Sequence, residues 1–264
     1  MGWVNLSAVP ASHESILASP PNILFLIVAR GGSKGLPGKN LKRIAGLSLV
    51  GYKARAARGF EPNARLMIST DSADIQAEAR QHGVEVPFTR PAALATDTAT
   101  SASVVAHAMQ WIEDNERRAY DAVMLLEPSS PFATPAHFRD AVALYQAWAA
   151  DLVVGMRAME PHSTFVGPQP ENGSIAPIVE KMNRTSGQRR QDQGPEWTMN
   201  GALYLFRWSA FKETGKIYST PDKCYGVLMD RYHSLEIESA EDLTLATFYA
   251  EKGYIDLSPW GAGP

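Results

Sequence analysis

Residues 23–40 constrain the fold of this chain more than any other stretch, because a buried strand runs there directly into a long glycine loop. Residues 23–29 are seven consecutive apolar residues, and the loop that follows contains four glycines together with the cations Arg30, Lys34 and Lys39. In parallel α/β folds, such a loop presents backbone N–H groups and positive charge to phosphates at the carboxyl edge of the sheet. The stretch therefore predicts a nucleotide site.

The loop matches neither of the two most common glycine motifs for phosphate binding. A G-x-G-x-x-G pattern cannot be placed on Gly31, Gly32, Gly35 and Gly38, and Asn40 stands where a Walker A loop requires Ser or Thr. An ordinary glycine-rich turn between a strand and a helix is the alternative interpretation. Turn chemistry alone does not explain the length of the loop or its alternation of glycine with lysine.

Strands and helices alternate along most of the chain, which predicts an α/β fold. We expect a mostly parallel, Rossmann-like nucleotide-binding sheet with helices on both faces. Asp71 lies at the end of the second strand, where it could belong to the site, and an N-cap of the helix that follows explains it equally well. The patterns predict strands over residues 23–29, 65–70, 84–88, 121–126, 151–156, 201–208, 226–229 and 232–238, a short extended piece over 41–46, and helices over 47–58, 74–83, 100–114, 134–149 and 239–251.

Two segments stand apart from this alternation. Residues 1–20 contain no Lys or Arg and no long apolar core, so we expect a loose or disordered extension rather than a secretory signal, followed by one domain over residues 21–264. Residues 157–198 are polar and rich in Pro, Gly, Gln and Arg, which predicts an excursion from the sheet. A flexible loop is one interpretation of this segment. A functional flap or a dimerisation arm is favoured, because about 40 structureless residues are unusual in a compact domain.

Charge and cysteine content narrow the class of partner. A formal net charge of -3 gives no general attraction to nucleic acid or to an anionic membrane. No apolar run approaches the ~20 residues that span a bilayer. The lone Cys224 excludes an internal disulfide and fits a reducing, cytoplasmic setting. Any binding of phosphate must therefore depend on locally placed cations.

Several motifs, taken together, resemble one enzyme family. The loop A-R-G-G-S-K-G-L-P-G-K-N is followed in order by S-T-D at 69–71, R-P-A-x-L-A-T-D-T-A at 90–99, L-L-E-P-S-S-P at 125–131, R-Q at 190–191 with N-G-A-L-Y at 200–204, and E-I-E-S-A-E-D-L at 236–243. From residue 22 to about residue 250 the chain resembles the N-acylneuraminate cytidylyltransferase (CMP-sialic acid synthetase) family. The loop is closer to the sialic acid branch than to the octulosonate (KDO) branch, whose loop is more like S-T-R-L-P-G-K-P.

The resemblance implies a reaction and a set of residues. It implies that the anomeric hydroxyl of an acidic 2-keto sugar attacks the α-phosphorus of CTP, with release of pyrophosphate and formation of a CMP-sugar. It also implies a homodimer, in which the inserted arm reaches the other active site, and a requirement for Mg²⁺. The implied roles are triphosphate binding and catalysis for Arg30 and Lys39, phosphate and ribose binding for Ser33 and Asn40, cytosine binding for Arg90 and Ser101, and acceptor binding for Arg190, Gln191, Asn200 and Tyr204.

Simpler interpretations exist for some of these residues. Arg90 alone could be a surface cation before a proline, and Ser101 could cap the helix that follows it. Residues 189–190 could form a solvated basic turn. The resemblance, rather than the local pattern, assigns these residues to the site.

Three departures from the family pattern concern the acceptor and the metal. Glu127 stands where the family usually has Gln, and Phe165 lies near a position where many relatives have Lys. Both leave the identity of the acid open. Glu236 and Glu238 replace the family's D-I-D, and their alternation with Ile237 predicts two carboxylates on one face of a strand, suited to Mg²⁺ and permissive for Mn²⁺. Two solvated glutamates before a helix cap are the alternative.

Other functions remain compatible with the sequence. The same chemistry could act on legionaminic, pseudaminic or amino-octulosonic acid, or on a phosphonate. A catalytically inactive protein that binds a nucleotide sugar would retain the binding residues and release no pyrophosphate.

Overall fold

The computed structural model describes residues 19–160, 162–168, 172–184 and 194–262. They form a six-stranded sheet in the order β4-β1-β5-β7-β6-β8, in which β7 is antiparallel to both of its neighbours and every other pairing is parallel. The prediction of a mostly parallel α/β sheet is confirmed. The strands are β1 (Ile23–Val28), β4 (Arg65–Ser69), β5 (Ala122–Leu126), β6 (Leu152–Ala158), β7 (Trp197–Arg207) and β8 (Cys224–Leu228), and β2 (Arg43–Ile44) pairs with β3 (Leu47–Ser48) in a separate hairpin.

Helices cover both faces of the sheet, which explains why β1 is apolar throughout. The helices are α1 (Leu49–Phe60), α2 (Ala73–Gln81), α3 (Ser101–Glu116), α4 (Pro135–Ala147), α5 (Ala176–Arg184), α6 (Trp208–Thr214) and α7 (Ala240–Glu251). Phe25 and Ile27 of β1 pack in a core with helices α1, α4 and α7, whereas Leu24 and Leu26 face α3 and α6.

Two of the predicted strands are wrong. Residues 84–88 make only an isolated bridge, from Glu85 to Met67, because Pro87 has no N–H with which to continue the ladder. Residues 232–238 are turn and extended coil. Asp230 Oδ1 accepts hydrogen bonds from the backbone N–H groups of Tyr232 and His233 at 2.8 and 3.0 Å, which closes a turn where the strand was expected to begin.

The described part of the 157–198 segment contains regular structure. β6 and β7 remain paired as far as Ala158 and Trp197, and α5 lies between the two strands in the chain. Lys181 Nζ of α5 donates to the carbonyl of Val166 at 2.8 Å. We call residues 157–198 the arm.

The N-terminal extension and the length of the helices were also subjects of prediction. The extension prediction for residues 1–20 falls almost entirely outside the described residues. Within the described ranges, no helix is long and apolar enough to cross a membrane.

Candidate active site

A cavity of about 380 Å³ opens at the carboxyl ends of β1 and β5, where the glycine loop leaves the sheet. The parallel strands β1, β4 and β5 all end at this edge, so residues from distant parts of the sequence meet there. Nine of the sequence-predicted residues line the cavity: Arg30, Ser33, Lys39, Asn40, Arg90, Ser101, Glu127, Glu236 and Glu238.

Asp71 and Asn40 hold the glycine loop in shape from opposite ends. Asp71 Oδ1 accepts a hydrogen bond from Gly31 N at 2.9 Å, and the buried Asn40 donates from Nδ2 to the carbonyl of Arg30 at 3.0 Å. Ser72, not Asp71, caps α2. The S-T-D motif therefore serves the loop, and the capping interpretation of Asp71 is wrong.

Gly35 is required by a close approach of two backbones. A Cβ on this residue would lie 2.5 Å from the carbonyl oxygen of Glu238, a distance that real side chains do not reach. The loop is therefore packed directly against the segment that carries the two predicted metal ligands.

Carboxylates neutralise the three loop cations. Asp97 accepts from Arg30 and from Lys34, each at 2.6 Å, and Glu238 Oε1 accepts from Lys39 Nζ at 2.6 Å. The hydrogen bonds from Lys34 and Arg30 lower the pKa of the Asp97 carboxyl. A single loop thus brings three cations to the cavity, each of them paired with a carboxylate.

Arg90 is buried rather than a surface cation. Its Nε donates to Ser69 Oγ at 3.1 Å, and its terminal nitrogen donates to the Ser69 carbonyl. Burial lowers the pKa of Arg90 to about 10, which leaves the guanidinium charged at neutral pH. Ser69 ends β4, so the S-T-D motif positions this arginine as well as the loop.

Glu127 follows β5 and carries a carboxylate into the cavity wall. Ser101 Oγ donates to Glu127 Oε1 at 3.0 Å, while Thr100 accepts from Ser103 N and so caps α3. The capping interpretation of Ser101 is therefore wrong. Burial raises the pKa of the Glu127 carboxyl, and the Ser101 hydrogen bond and Lys53 lower it in part.

Lys53 was missed by the sequence reasoning, and it lies wholly buried beneath the site. Its Nζ donates to the carbonyl of Ala202 at 2.7 Å, and burial lowers its pKa to about 7, partly offset by Glu127. The helical spacing of Leu49, Lys53 and Ala57 was the available signal, because it places a lysine on the buried face of α1.

The predicted acceptor residues separate into three groups. Tyr204 lies near Glu127, since burial and that carboxylate raise the pKa of its phenol. Asn200 is turned away from the cavity: its buried side chain donates to Ser234 Oγ at 2.9 Å and accepts from Ala202 N at 3.1 Å. Arg190 and Gln191 lie outside the described residues. Phe165 belongs to the arm, is 41% exposed and does not line the cavity.

Glu236 and Glu238 both line the cavity although the predicted strand is absent. Ile237 between them is buried, and its N–H donates to the carbonyl of Ser129 at 2.7 Å. Burial, Glu238 and then Glu127 raise the pKa of the Glu236 carboxyl. Among the residues that the structure describes, no group of three or more His, Cys, Asp or Glu side chains could hold a metal ion. This carboxylate pair would thus need further oxygen ligands from a substrate.

Comparison with known proteins places the chain among cytidylyltransferases. The family model described as cytidylyltransferase matches residues 24–145. The N-acylneuraminate cytidylyltransferase of Escherichia coli O18:K1:H7 is 30% identical over 234 residues, covering 87% of this chain and 52% of the relative. The CMP-N,N'-diacetyllegionaminic acid synthase of Legionella pneumophila is 30% identical over 230 residues, covering 84% of this chain and 94% of the relative. The chain thus spans about half the length of the N-acylneuraminate cytidylyltransferases it matches.

Solved structures share the fold at low sequence identity. CMP:2-keto-3-deoxy-manno-octonic acid synthetase complexed with CTP has a TM-score of 0.57 and 14% identity, covering 88% of this chain and 99% of that chain. The 4-diphosphocytidyl-2C-methyl-D-erythritol synthase of Anaerococcus prevotii has a TM-score of 0.59 and 11% identity, covering 87% and 98% of the two chains.

Proposed function

Because the chain belongs to the cytidylyltransferase family that includes the N-acylneuraminate enzymes, we propose that it couples CTP to an acidic 2-keto sugar of the sialic acid type. One observation carries the proposal. The loop cations, Arg90, Ser101 and the Glu236/Glu238 pair come from separate parts of the sequence and line one cavity. The products would be a CMP-sugar and pyrophosphate.

The proposed reaction is an in-line transfer at the α-phosphorus of CTP. The anomeric hydroxyl of the acid releases its proton to solvent as its oxygen forms a bond to this phosphorus, the bond to the bridging oxygen of the β-phosphate breaks, and pyrophosphate leaves with the electron pair. Arg30 and Lys39 would neutralise the charge on the triphosphate. Each of them is paired with a carboxylate, Asp97 or Glu238, at 2.6 Å, so nucleotide binding would replace these carboxylate oxygens with phosphate oxygens.

Arg90 and Ser101 would read the cytosine, Arg90 as a donor and Ser101, whose hydroxyl proton is donated to Glu127, as an acceptor. Ser69 occupies only part of the Arg90 guanidinium, and the remaining N–H donors suit the O2 and N3 acceptors of the base. Burial of Arg90 favours this role, because a buried fork loses little conformational entropy on binding.

Glu236 and Glu238 would hold the metal together with phosphate oxygens. Two carboxylates and phosphate form the all-oxygen ligand set that Mg²⁺ prefers, and Mn²⁺ could replace it. When bound, the ion would offset negative charge on the triphosphate. Lys39 bridges the two functions, since the same ammonium contacts Glu238 and faces the cavity.

The acceptor side comprises Glu127 and Tyr204 in the described residues, and Arg190 and Gln191 beyond them. An arginine at position 190 suits the carboxylate of the acid, which it could bind through two parallel hydrogen bonds. Relatives named for N-acylneuraminate and for N,N'-diacetyllegionaminic acid have the same 30% identity to this chain, so the proposal is made at the level of the acid class.

A homodimer through the arm is part of the proposal. Val179 and Met182 of α5 and Met199 of β7 are 40%, 41% and 50% exposed, and exposed apolar side chains on the arm are suited to contact with a second copy of the chain. The proposal also places the protein in the cytoplasm, where its nucleotide substrate is made.

The decisive experiment is an assay of CTP-dependent pyrophosphate release with a panel of acids. N-acetylneuraminate, legionaminic, pseudaminic and octulosonic acids and their amino analogues would be compared, each with and without Mg²⁺. Release with at least one acid supports the proposal. Binding of CTP without release from any acid would favour a catalytically inactive nucleotide-sugar binding protein instead.

A further inference from the structure

Glu127 places an acidic group in a part of the cavity that already holds another. A Cβ on Gly201 would lie 3.8 Å from Glu127 Oε2 and 3.6 Å from Glu236 Oε1, so the two carboxylates face the same small region. Within the described ranges, no Lys, Arg or His nitrogen lies within the 4.0 Å ion-pair limit of either group. The proposed metal would offset the charge of Glu236, which leaves Glu127 as a carboxylate that faces the cavity without a cation.

Lys53 lies behind the wall of the cavity, where its positive charge, when the amine is protonated, lowers the pKa of Glu127. Its ammonium is fully buried, donates to the carbonyl of Ala202 next to Gly201, and is absent from the cavity lining. A buried lysine is costly unless it is compensated. Because Lys53 does not line the cavity, its charge would act on the acceptor through a neighbour, and Glu127 is the cavity-lining carboxylate whose pKa it lowers.

Binding of a neutral group on the acceptor does not require a carboxylate at position 127. A glutamine at position 127 would bind a sugar hydroxyl without placing a charge in the wall. The charge becomes favourable when the acceptor itself brings a cation, since a charge-assisted hydrogen bond is roughly twice as strong as a neutral one. The carboxylate of the same acceptor would then have to bind away from Glu127, because like charges repel.

We propose that Glu127 and Lys53 act as one unit that selects an acidic sugar carrying a protonated amine, with Glu127 binding the amine and Lys53 acting as a positioning residue. The inference rests on the proposed function and narrows its substrate class. Ser101 completes the unit, because its hydroxyl donates to Glu127 Oε1 and so turns the other oxygen toward the acceptor.

The test compares acids in pairs that differ only by an amine in place of a hydroxyl. Suitable pairs are N-acetylneuraminate with its 9-amino-9-deoxy analogue and octulosonate with its 8-amino analogue. The measured quantity is the ratio of kcat/KM for the amino-substituted sugar acid to kcat/KM for its hydroxyl counterpart, which we call the amine preference. For at least one pair we expect an amine preference of about tenfold or more in the unsubstituted protein, and a preference near or below unity in Glu127→Gln.

Lys53→Met separates positioning from packing. At a pH below 7, where Lys53 is protonated, we expect it to lower the amine preference several-fold by raising KM for the amino-substituted acid, with kcat and the KM for CTP little changed. In the double variant with Glu127→Gln, it should have no further effect on the amine preference. Glu113→Gln and Lys212→Met are matched controls, because these residues form an ion pair at 2.6 Å outside the cavity.

The outcomes are distinct. Equal kcat/KM for both members of every pair, unchanged in Glu127→Gln, would overturn this inference and leave the proposed function standing. A loss of kcat in Glu127→Gln for all acids alike would make Glu127 a proton acceptor in the reaction rather than a selector, and would also overturn it. If Lys53→Met changed the amine preference equally in the unsubstituted protein and in Glu127→Gln, Lys53 would not act through Glu127, and the proposed unit would be wrong. If Lys53→Met does not fold, Glu127→Gln alone decides. No release with any acid would remove the proposed function and this inference together.

Discussion

Replacing Lys39 by Met should separate catalysis from stability more clearly than any other change in the site. Lys39 Nζ lies 2.6 Å from Glu238 Oε1, and the two side chains are 12% and 61% exposed. Met keeps the apolar packing of the largely buried lysine stem and removes only the charge. The variant therefore tests the ammonium itself.

The expected loss of stability is small. Because Glu238 is more than half exposed, solvent screens the pair, and its loss should cost no more than about 1 kcal/mol of the free energy of unfolding. For a chain of this size, that corresponds to a fall in Tm of roughly 2–4 °C. The expected loss of turnover is much larger. Removing one group that stabilises transition-state charge typically lowers kcat by about 10²–10³-fold, or ~2.7–4 kcal/mol.

The assay is CTP-dependent pyrophosphate release over a range of CTP concentrations, with thermal unfolding measured on the same samples. Lys42→Met is the matched control, because Lys42 is exposed, lies three residues further along the chain and does not line the cavity. Turnover of Lys39→Met within a few-fold of the unsubstituted protein would refute the role of Lys39. A loss of turnover accompanied by an equally large loss of unfolding free energy would refute the reasoning that separates the two.

Three further predictions concern the metal, a buried charge and the oligomeric state. Glu236→Gln and Glu238→Gln should each raise the Mg²⁺ concentration needed for half-maximal pyrophosphate release; unchanged metal titrations, or full turnover in chelator, would contradict a metal role. Burial lowers the pKa of Lys53 from 10.5 to about 7, so between these pH values the unfolded chain binds a proton that the folded chain does not. As the pH is lowered from 10.5 to 7, the unsubstituted protein should therefore lose unfolding free energy. Lys53→Met cannot bind this proton, so its unfolding free energy should rise relative to that of the unsubstituted protein. Urea unfolding at both pH values checks it, and a difference that does not change with pH would count against it. Val179→Asp should convert the proposed dimer to a monomer in sedimentation experiments, whereas Phe248→Asp on α7 should leave it a dimer. If neither variant changed the sedimentation, the arm would not form the dimer interface.

The sheet and the loop could be predicted because their signals are local. Seven apolar residues in a row predict a strand buried on both faces, and Phe25 and Leu24 do face different cores. The loop that follows such a strand in a parallel sheet reaches the carboxyl edge whatever lies beyond it. The convergence of Arg30 and Glu127 on one cavity follows from that topology, because they come after the parallel strands β1 and β5.

Burial of charge could not be predicted in the same way. The helical pattern places Lys53 on the inner face of α1, yet whether a lysine is tolerated there depends on the Ala202 carbonyl and on Glu127, which come from β7 and the end of β5. The burial of Arg90 depends similarly on Ser69 at the end of β4. In both cases the hydrogen-bond partner is a backbone or hydroxyl oxygen whose position is set by the fold and leaves no periodic signal in the sequence.

The carboxylate pair shows why a wrong strand prediction can still give a correct location. The segment that contains Glu236 and Glu238 lacks a ladder, but the Ile237 N–H donates to the Ser129 carbonyl and the Ile237 side chain enters the core. Extended backbone alternates side chains whether or not it is paired, so burial of the middle residue directs its two neighbours outward. The Gly35 loop then packs against the Glu238 carbonyl, which fixes the distance between the predicted metal ligands and the loop cations. The position of the pair therefore depends on one buried isoleucine and one glycine, and a larger residue at position 35 should disturb metal use and nucleotide binding together.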